Sequence, residues 1–287
     1  YANPNASSGN KVLNVSGVSI LNDSSSAANN YTITYVANTT STITAAPVTI
    51  SGLSASNKVY DTNRVAALSG TATAAGVLSG DTVTVSGTAN AGTFASANVA
   101  NGIAVTADLS GLTLSNTNYF IDGVTSALSA NITAAPVTIT IVKDYNGSTA
   151  VANNQITVAG VAGQTLVLTA GTATLTNPNV GSAALLSLNG ASLGNGTGVA
   201  TNYTLTNPNS TVTINRAAIS ITASDAVKVY DTTTDVTGAT TAPAATLYSG
   251  TLYTNSATGY TDTLSGGSFA YANPNASSGN KVLNVSG

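Results

Sequence analysis

The chain has 287 residues, is 43% apolar and only 6% charged, carries a net charge of −3, and contains no Cys, His, Met, Trp or Glu. That excludes disulfides, thiol chemistry and Cys/His metal centres, and it removes the commonest general acids and bases. The 7 Lys and Arg residues cannot build a basic nucleic-acid surface, and no apolar run has the length of a membrane-spanning helix.

A secretory leader is not expected within this window, because no charged-then-apolar stretch opens it. The absence of Cys fits an extracellular protein that does without disulfides. Thr, Val, Asn, Ser and Gly dominate, a composition of β-branched strand formers and turn formers. An all-β protein is the expectation.

In chain order, residues 1–17 (YANPNASSGNKVLNVSG) return unchanged as 271–287, an offset of 270 residues. The sequence therefore reads as a window on a longer tandem array. Tyr31-Thr32-Ile33-Thr34-Tyr35 follows Asn30 and alternates as a strand does. Next comes the connector ITAAPVTI (43–50), where Pro47 holds the preceding alanine extended. Lys58-Val59-Tyr60-Asp61-Thr62 lies just beyond. Ser79-Gly80-Asp81 marks a turn before the alternating Thr82–Ser86, and Asn118-Tyr119 opens another alternating stretch. The connector recurs at 132–139 with Pro136, followed by Lys143-Asp144-Tyr145-Asn146-Gly147. Thr165–Thr169 reads as a buried strand, Asn177–Asn179 and Asn207–Asn209 as turns, and Tyr203–Thr206 and Thr211–Ile214 as strands. A short helix in the Ala-rich stretch 181–188 stays open. A variant connector, INRAAISI (214–221), precedes Lys228-Val229-Tyr230-Asp231-Thr232. Three units follow: 43–131, 132–213, and 214–287 continued through residues 18–42 of the next period. Residues 1–42 are then the C-terminal part of a repeat domain, and 214–287 the N-terminal part of another. Units of this size are small domains rather than solenoid rungs. An immunoglobulin-like sandwich is the first expectation and a β-grasp-like arrangement the second, with domains end to end as a rod or filament.

The Lys-x-Tyr-Asp segment, the stretches GTFASANVANG (92–102), GTATLTNPNVG (171–181) and GSFAYANPNASSG (267–279), the Asn-Tyr strand and the Ala-Ala-Pro connector occur in one order three times. Together they resemble the YDG and MBG repeat domains of very large bacterial surface proteins of the filamentous-haemagglutinin type. Asn146 departs from the pattern at the Asp, and Thr62 and Thr232 depart at the Gly. The resemblance implies an extracellular structural repeat in an adhesin or filament.

The recurrent residues Lys58, Tyr60, Asp61, Tyr119, Lys143, Tyr145, Asn146, Tyr203, Lys228, Tyr230, Asp231 and Tyr31 are expected to be structural anchors. The ring packs beside a turn, the Asp or Asn bonds local backbone, and the lysine stem lies over the tyrosine ring with its ammonium in water. Sharper alternatives are a Tyr-Asp ligand site, an intramolecular Lys–Asn isopeptide bond, and calcium at turns such as Asp81 and Asp262, with Gln164 in the middle unit. Asn-x-Ser/Thr sequons at Asn14, Asn22, Asn131, Asn146, Asn195 and Asn202 carry little weight in so Asn-rich a chain. No nucleophile–base pair, P-loop or carboxylate pair is visible. The expected role is therefore non-enzymatic and cofactor-free: a stalk or filament repeat of an extracellular adhesin or biofilm-matrix protein. Its partners are neighbouring repeats of the same polypeptide or filament. One alternative is an adhesive module for host or environmental glycans; another is a subunit polymerised by strand donation. Nucleic acid and membrane insertion are not expected.

Overall fold

The structure is a computed structural model that describes residues 1–22, 25, 26, 31–277, 279 and 281–287. The expected Asn30 lies outside them. The chain divides into two compact units, Tyr1–Ala134 and Ala135–Gly287, and both are built of strands and turns.

The first unit holds β1 (Ser7–Leu13), β2 (Leu21–Asn22), β3 (Ser25–Ser26), β4 (Asn38–Ile43), β5 (Ala46–Ala55), β6 (Lys58–Val59), β7 (Val65–Ala66), β8 (Leu68–Ala75), β9 (Val85–Gly87), β10 (Asn90–Phe94), β11 (Ala100–Asp108), β12 (Leu112–Leu114), β13 (Tyr119–Val124) and β14 (Leu128–Thr133). One sheet has the order β6-β14-β11-β10-β7, a second β13-β5-β8, and β12 pairs with β9. The chain passes from the second sheet to the first between β5 and β6 and again between β13 and β14. The first and last strands of the repeat thus keep company in both sheets. β13 runs parallel to β5, with Tyr119 opposite Ala46, and β14 runs parallel to β6, with Ile132 opposite Lys58. The core gathers Val48 and Ile50 from β5, Phe94 from β10, Ile103 and Val105 from β11, Tyr119 from β13, and Ile132 from β14.

The second unit holds β15 (Ala135–Asp144), β16 (Ala150–Val151), β17 (Ile156–Ala159), β18 (Thr165–Leu175), β19 (Leu185–Asn195), β20 (Tyr203–Asn215), β21 (Ser220–Ala223), β22 (Ala245–Ser249), β23 (Ser268–Tyr271) and β24 (Leu283–Ser286). Single 3₁₀ turns lie at Asn153–Gln155, Val161–Gly163 and Ala200–Asn202. In β15 every second residue faces the core: Ala135, Val137, Ile139, Ile141 and then Lys143. Burying Val137, Ile139 and Ile141, each 0% exposed, stabilises the repeat by about 1.5–3 kcal/mol apiece. β15 is flanked by antiparallel β17 and parallel β20. The parallel ladder runs from Ala135 opposite Tyr203 to Lys143 opposite Ile214 and Asp144 opposite Asn215. The parallel pairing of first and last strands is that of the first repeat, with β13 and β14 replaced by one long strand and β5 and β6 by another, but here the strands join in one six-stranded sheet of order β16-β18-β17-β15-β20, with β19 beside β18.

Several local expectations are corrected. Asn207–Asn209 is no turn between strands. It is absorbed within β20 as an irregularity: Thr204 stands opposite Pro136 and Asn209 opposite Thr138. The strand expected at Thr82–Ser86 begins only at Val85, where pairing with β12 starts. The stretch 181–188 holds no helix and leads into β19. Tyr31–Tyr35 is not a strand: pairing in that region begins at Asn38, where β4 meets β1.

The duplicated 17-residue segment shares two contacts between its two places but not its strands: β1 covers Ser7–Leu13 in the first copy, whereas the second carries β24 at Leu283–Ser286. Ala2 N–H donates to Val12 O at 2.9 Å and Ala272 N–H to Val282 O at 3.0 Å. Lys11 Nζ donates to Asn3 Oδ1, as Lys281 Nζ does to Asn273 Oδ1.

Candidate functional site

The recurrent Lys-x-Tyr-Asp/Asn segment leaves the first strand and turns back through a loop of one geometry. The Asp or Asn side chain accepts the backbone N–H two residues on: Asn63 to Asp61 at 3.1 Å, Ser148 to Asn146 at 3.1 Å, and Thr233 to Asp231 at 3.0 Å. These are Asx turns, which an oxygen on a short side chain favours. The residue between is left-handed each time, with φ of 73° at Thr62, 72° at Gly147 and 71° at Thr232. Glycine adopts that backbone freely and threonine does so under strain. At Gly147 there is a second demand: a Cβ there would lie 2.2 Å from Thr254 O.

The lysine closes the loop. Lys143 Nζ donates to Ser148 O at 2.8 Å and Ala150 O at 2.9 Å. Lys228 Nζ reaches Thr233 O at 3.3 Å and Asp235 O at 2.8 Å, five and seven residues on, as Lys143 does. Lys58 Nζ donates to Asn63 O at 2.8 Å and sits 5.5 Å from the Phe94 ring centroid. The expected picture, a stem over the tyrosine with its ammonium in water, is therefore corrected. The ammonium is the bound part, and in the first repeat the ring beneath it is Phe94. Lys58 and Lys228 also pair with Asp61 and Asp231 at 2.7 Å. Lys143 is 3% exposed and has Asn146 in place of that carboxylate. Desolvation pulls its ammonium below the usual lysine range. The Lys228 hydrogen bond, with those of Thr233, lowers Asp231 to about 2. Burial pushes Asp61 upward, and the bonds from Lys58 and Asn63 more than offset it, leaving the carboxyl below its ordinary value.

The tyrosines form two further sets. Tyr60 and Tyr119 are buried, Tyr145 is half-buried, and Tyr31 and Tyr230 stand exposed at 63% and 57%. Tyr119 donates its hydroxyl to Asp81 at 2.7 Å, and Tyr203, also buried, donates to Gln164. The Asp81 carboxylate raises the Tyr119 phenol. Tyr145 donates to Asp262 at 2.9 Å and meets Tyr253 edge-on at 5.9 Å. The turn acidics weighed for calcium are thus tyrosine acceptors, and among the described residues no acidic cluster could hold a metal. Asn202, legible in the sequence as a sequon and as part of the recurrent Asn-Tyr pair, is 1% exposed at the end of the 3₁₀ turn Ala200–Asn202.

The isopeptide reading meets its best geometry in the first repeat. Lys58 Nζ lies 2.8 Å from Asn63 Oδ1, and Asp61 accepts from both side chains. Bond formation needs a neutral amine and a protonated carboxyl to carry the proton. Asp61 is 45% exposed and held ionised, so the arrangement is an ion pair. Ser148 and Thr233 occupy the place of Asn63 in the other repeats.

The family model described as the YDG domain matches residues 44–127 and again residues 129–212. No curated protein and no solved structure matches the chain.

Proposed function

The chain belongs to the YDG domain family, and we propose that its repeats are load-bearing modules of an extracellular bacterial stalk or filament. One observation carries this reading: the first and last strands of each complete repeat lie side by side in parallel. In such a pair the chain enters at one end and leaves at the other. Tension along the polypeptide then loads the ladder bonds together, in shear, rather than one at a time. Connectors of a residue or two support it further. β4 ends at Ile43 and β5 starts at Ala46, while β14 ends at Thr133 and β15 starts at Ala135. The lysine-held loop fixes the far end of the first strand, beside the end of the last strand, where that load would leave the repeat.

A sparse-charge surface of Thr, Ser and Asn suits exposure outside the cell, where salt changes little on it. The adhesive role follows from the stalk: the repeats hold a binding part away from the surface. Protease shaving of intact source cells tests the location, and peptides of this chain are expected in the released fraction. Their appearance only after lysis would overturn it. Replacing residues 46–133 by an unrelated all-β domain of similar length is expected to preserve cell adhesion. Loss of adhesion on that exchange would mean that the repeat itself binds.

A further inference from the structure

The lysine-held loop of the middle repeat carries a residue pair that the other two copies lack. In those copies a carboxylate opens the Asx turn, Asp61 and Asp231, and a threonine follows it, Thr62 and Thr232. In the middle copy both positions change together: the carboxylate becomes the amide of Asn146, and the threonine becomes Gly147. After an asparagine, glycine lets the next backbone nitrogen reach the side-chain carbon with least hindrance, whereas a β-branched residue blocks that approach. The loop able to make a carboxylate from an amide is thus the one that carries the amide.

The chain has four Asn-Gly pairs, beginning at Asn101, Asn146, Asn189 and Asn195, and the fold treats them differently. Gly102 N–H donates to Asn131 Oδ1 at 2.7 Å, and Gly196 N–H to Gly198 O at 3.2 Å. Asn189 and Gly190 lie inside β19, with Asn189 opposite Thr172. Gly147 lies outside the strands, and among the described residues its N–H has no acceptor. Asn146 is exposed, so water reaches its amide. Its Oδ1 accepts the Ser148 N–H at 3.1 Å. That Asx turn folds the side chain back over the Gly147 peptide, and it places a donor on the oxygen that gains charge when Cγ is attacked. The Lys143 ammonium, bound to Ser148 O and Ala150 O, adds a positive charge within the same loop.

We propose that Asn146 is a self-modification site, at which the folded chain converts the amide to the aspartate that Asp61 and Asp231 supply in the other copies. The Gly147 nitrogen, losing its proton, attacks Asn146 Cγ. The Cγ–Nδ2 bond breaks and ammonia leaves with that proton. Water then opens the cyclic imide between Cγ and the Gly147 nitrogen, giving its hydroxyl to the carbon and a proton to the nitrogen. The main-chain peptide is kept and a carboxyl remains; the sum is amide plus water to carboxylate plus ammonium. Opening at the main-chain carbonyl instead would give isoaspartate, whose extra backbone carbon shifts the loop against the two carbonyls that Lys143 holds. The new carboxylate, three residues after Lys143, takes the pairing that Lys58–Asp61 and Lys228–Asp231 show at 2.7 Å. The inference stands on the chemistry of this loop and is independent of where the protein resides.

Ageing the whole chain in mildly alkaline buffer tests it. Peptide mass mapping follows the gain of about 1 Da at each Asn-Gly pair, and fragmentation separates aspartate from isoaspartate. Asn146 should convert several-fold faster than Asn101, Asn189 and Asn195, and mainly to aspartate. In denaturant the four rates should converge, with isoaspartate prevailing at position 146. The urea midpoint of the aged chain should move toward that of Asn146→Asp, which should itself gain nothing on ageing. Conversion of Asn146 no faster than that of the other three in the folded chain, isoaspartate as its main product there, or an aged chain less stable than the fresh one would each overturn the proposal.

Discussion

At Lys143 a buried ammonium rests on two backbone carbonyls without the carboxylate that Lys58 and Lys228 have at the same spacing. Asn146→Asp supplies it and is expected to raise stability by about 0.5–1 kcal/mol, discounted for the exposure of that position. The gain should be full above the unfolded carboxyl value near ~3.9 and should vanish as pH falls through the lowered folded value. Urea midpoints at pH 7 and in acid check it. Lys143 itself predicts an alkaline effect. Its folded pKa is lowered by desolvation, so the unfolded chain binds more protons between that value and ~10.4, and stability rises with pH across the interval. Midpoints followed from pH 7 toward 10 should rise, and Lys143→Met should flatten the rise. Strain gives a third expectation. Thr62 and Thr232 hold φ of 73° and 71°. Thr62→Gly should therefore stabilise by about 0.5–1 kcal/mol once the greater freedom of the unfolded glycine is subtracted; calorimetry showing a lower Tm would contradict it.

Among elements, alternation was the signal that carried furthest. It located the stretches 203–206 and 211–214 within β20 and 165–169 within β18. It misled at Tyr31–Tyr35, which forms no strand: pairing there begins at Asn38. It was blind to parallel pairing itself, because register between strands some 80 residues apart leaves no mark in either strand alone. The lysine was legible as a recurrent residue, but its partners were not: they are carbonyls five and seven residues on, which any sequence supplies. Asn146 and the two threonines were visible as departures, and their cost became readable only with the turn geometry. Paired glycines were likewise silent. A Cβ on Gly70 would lie 2.0 Å from Gly52 O, and one on Gly52 would lie 2.2 Å from Thr71 O. Gly70→Val should part β5 from β8 locally and cost more than about 2 kcal/mol, seen as lost amide protection along Thr49–Ala55.

For the molecule, the account is of β-domains whose ends are tied by a parallel ladder and whose first strand is anchored by a lysine. Such modules suit tension, and a polypeptide built of tandem copies of them, as this chain is at 44–127 and 129–212, can be lengthened without changing its parts. Pulling single molecules of the whole chain from its two ends tests this most directly. Extension should proceed in discrete steps, with the complete repeats opening last and at the highest forces. At ~3.4 Å per residue, opening the repeat 44–127 should release roughly 290 Å of contour length, less its folded span. Smooth extension at low force, without separate steps for the two complete repeats, would contradict it.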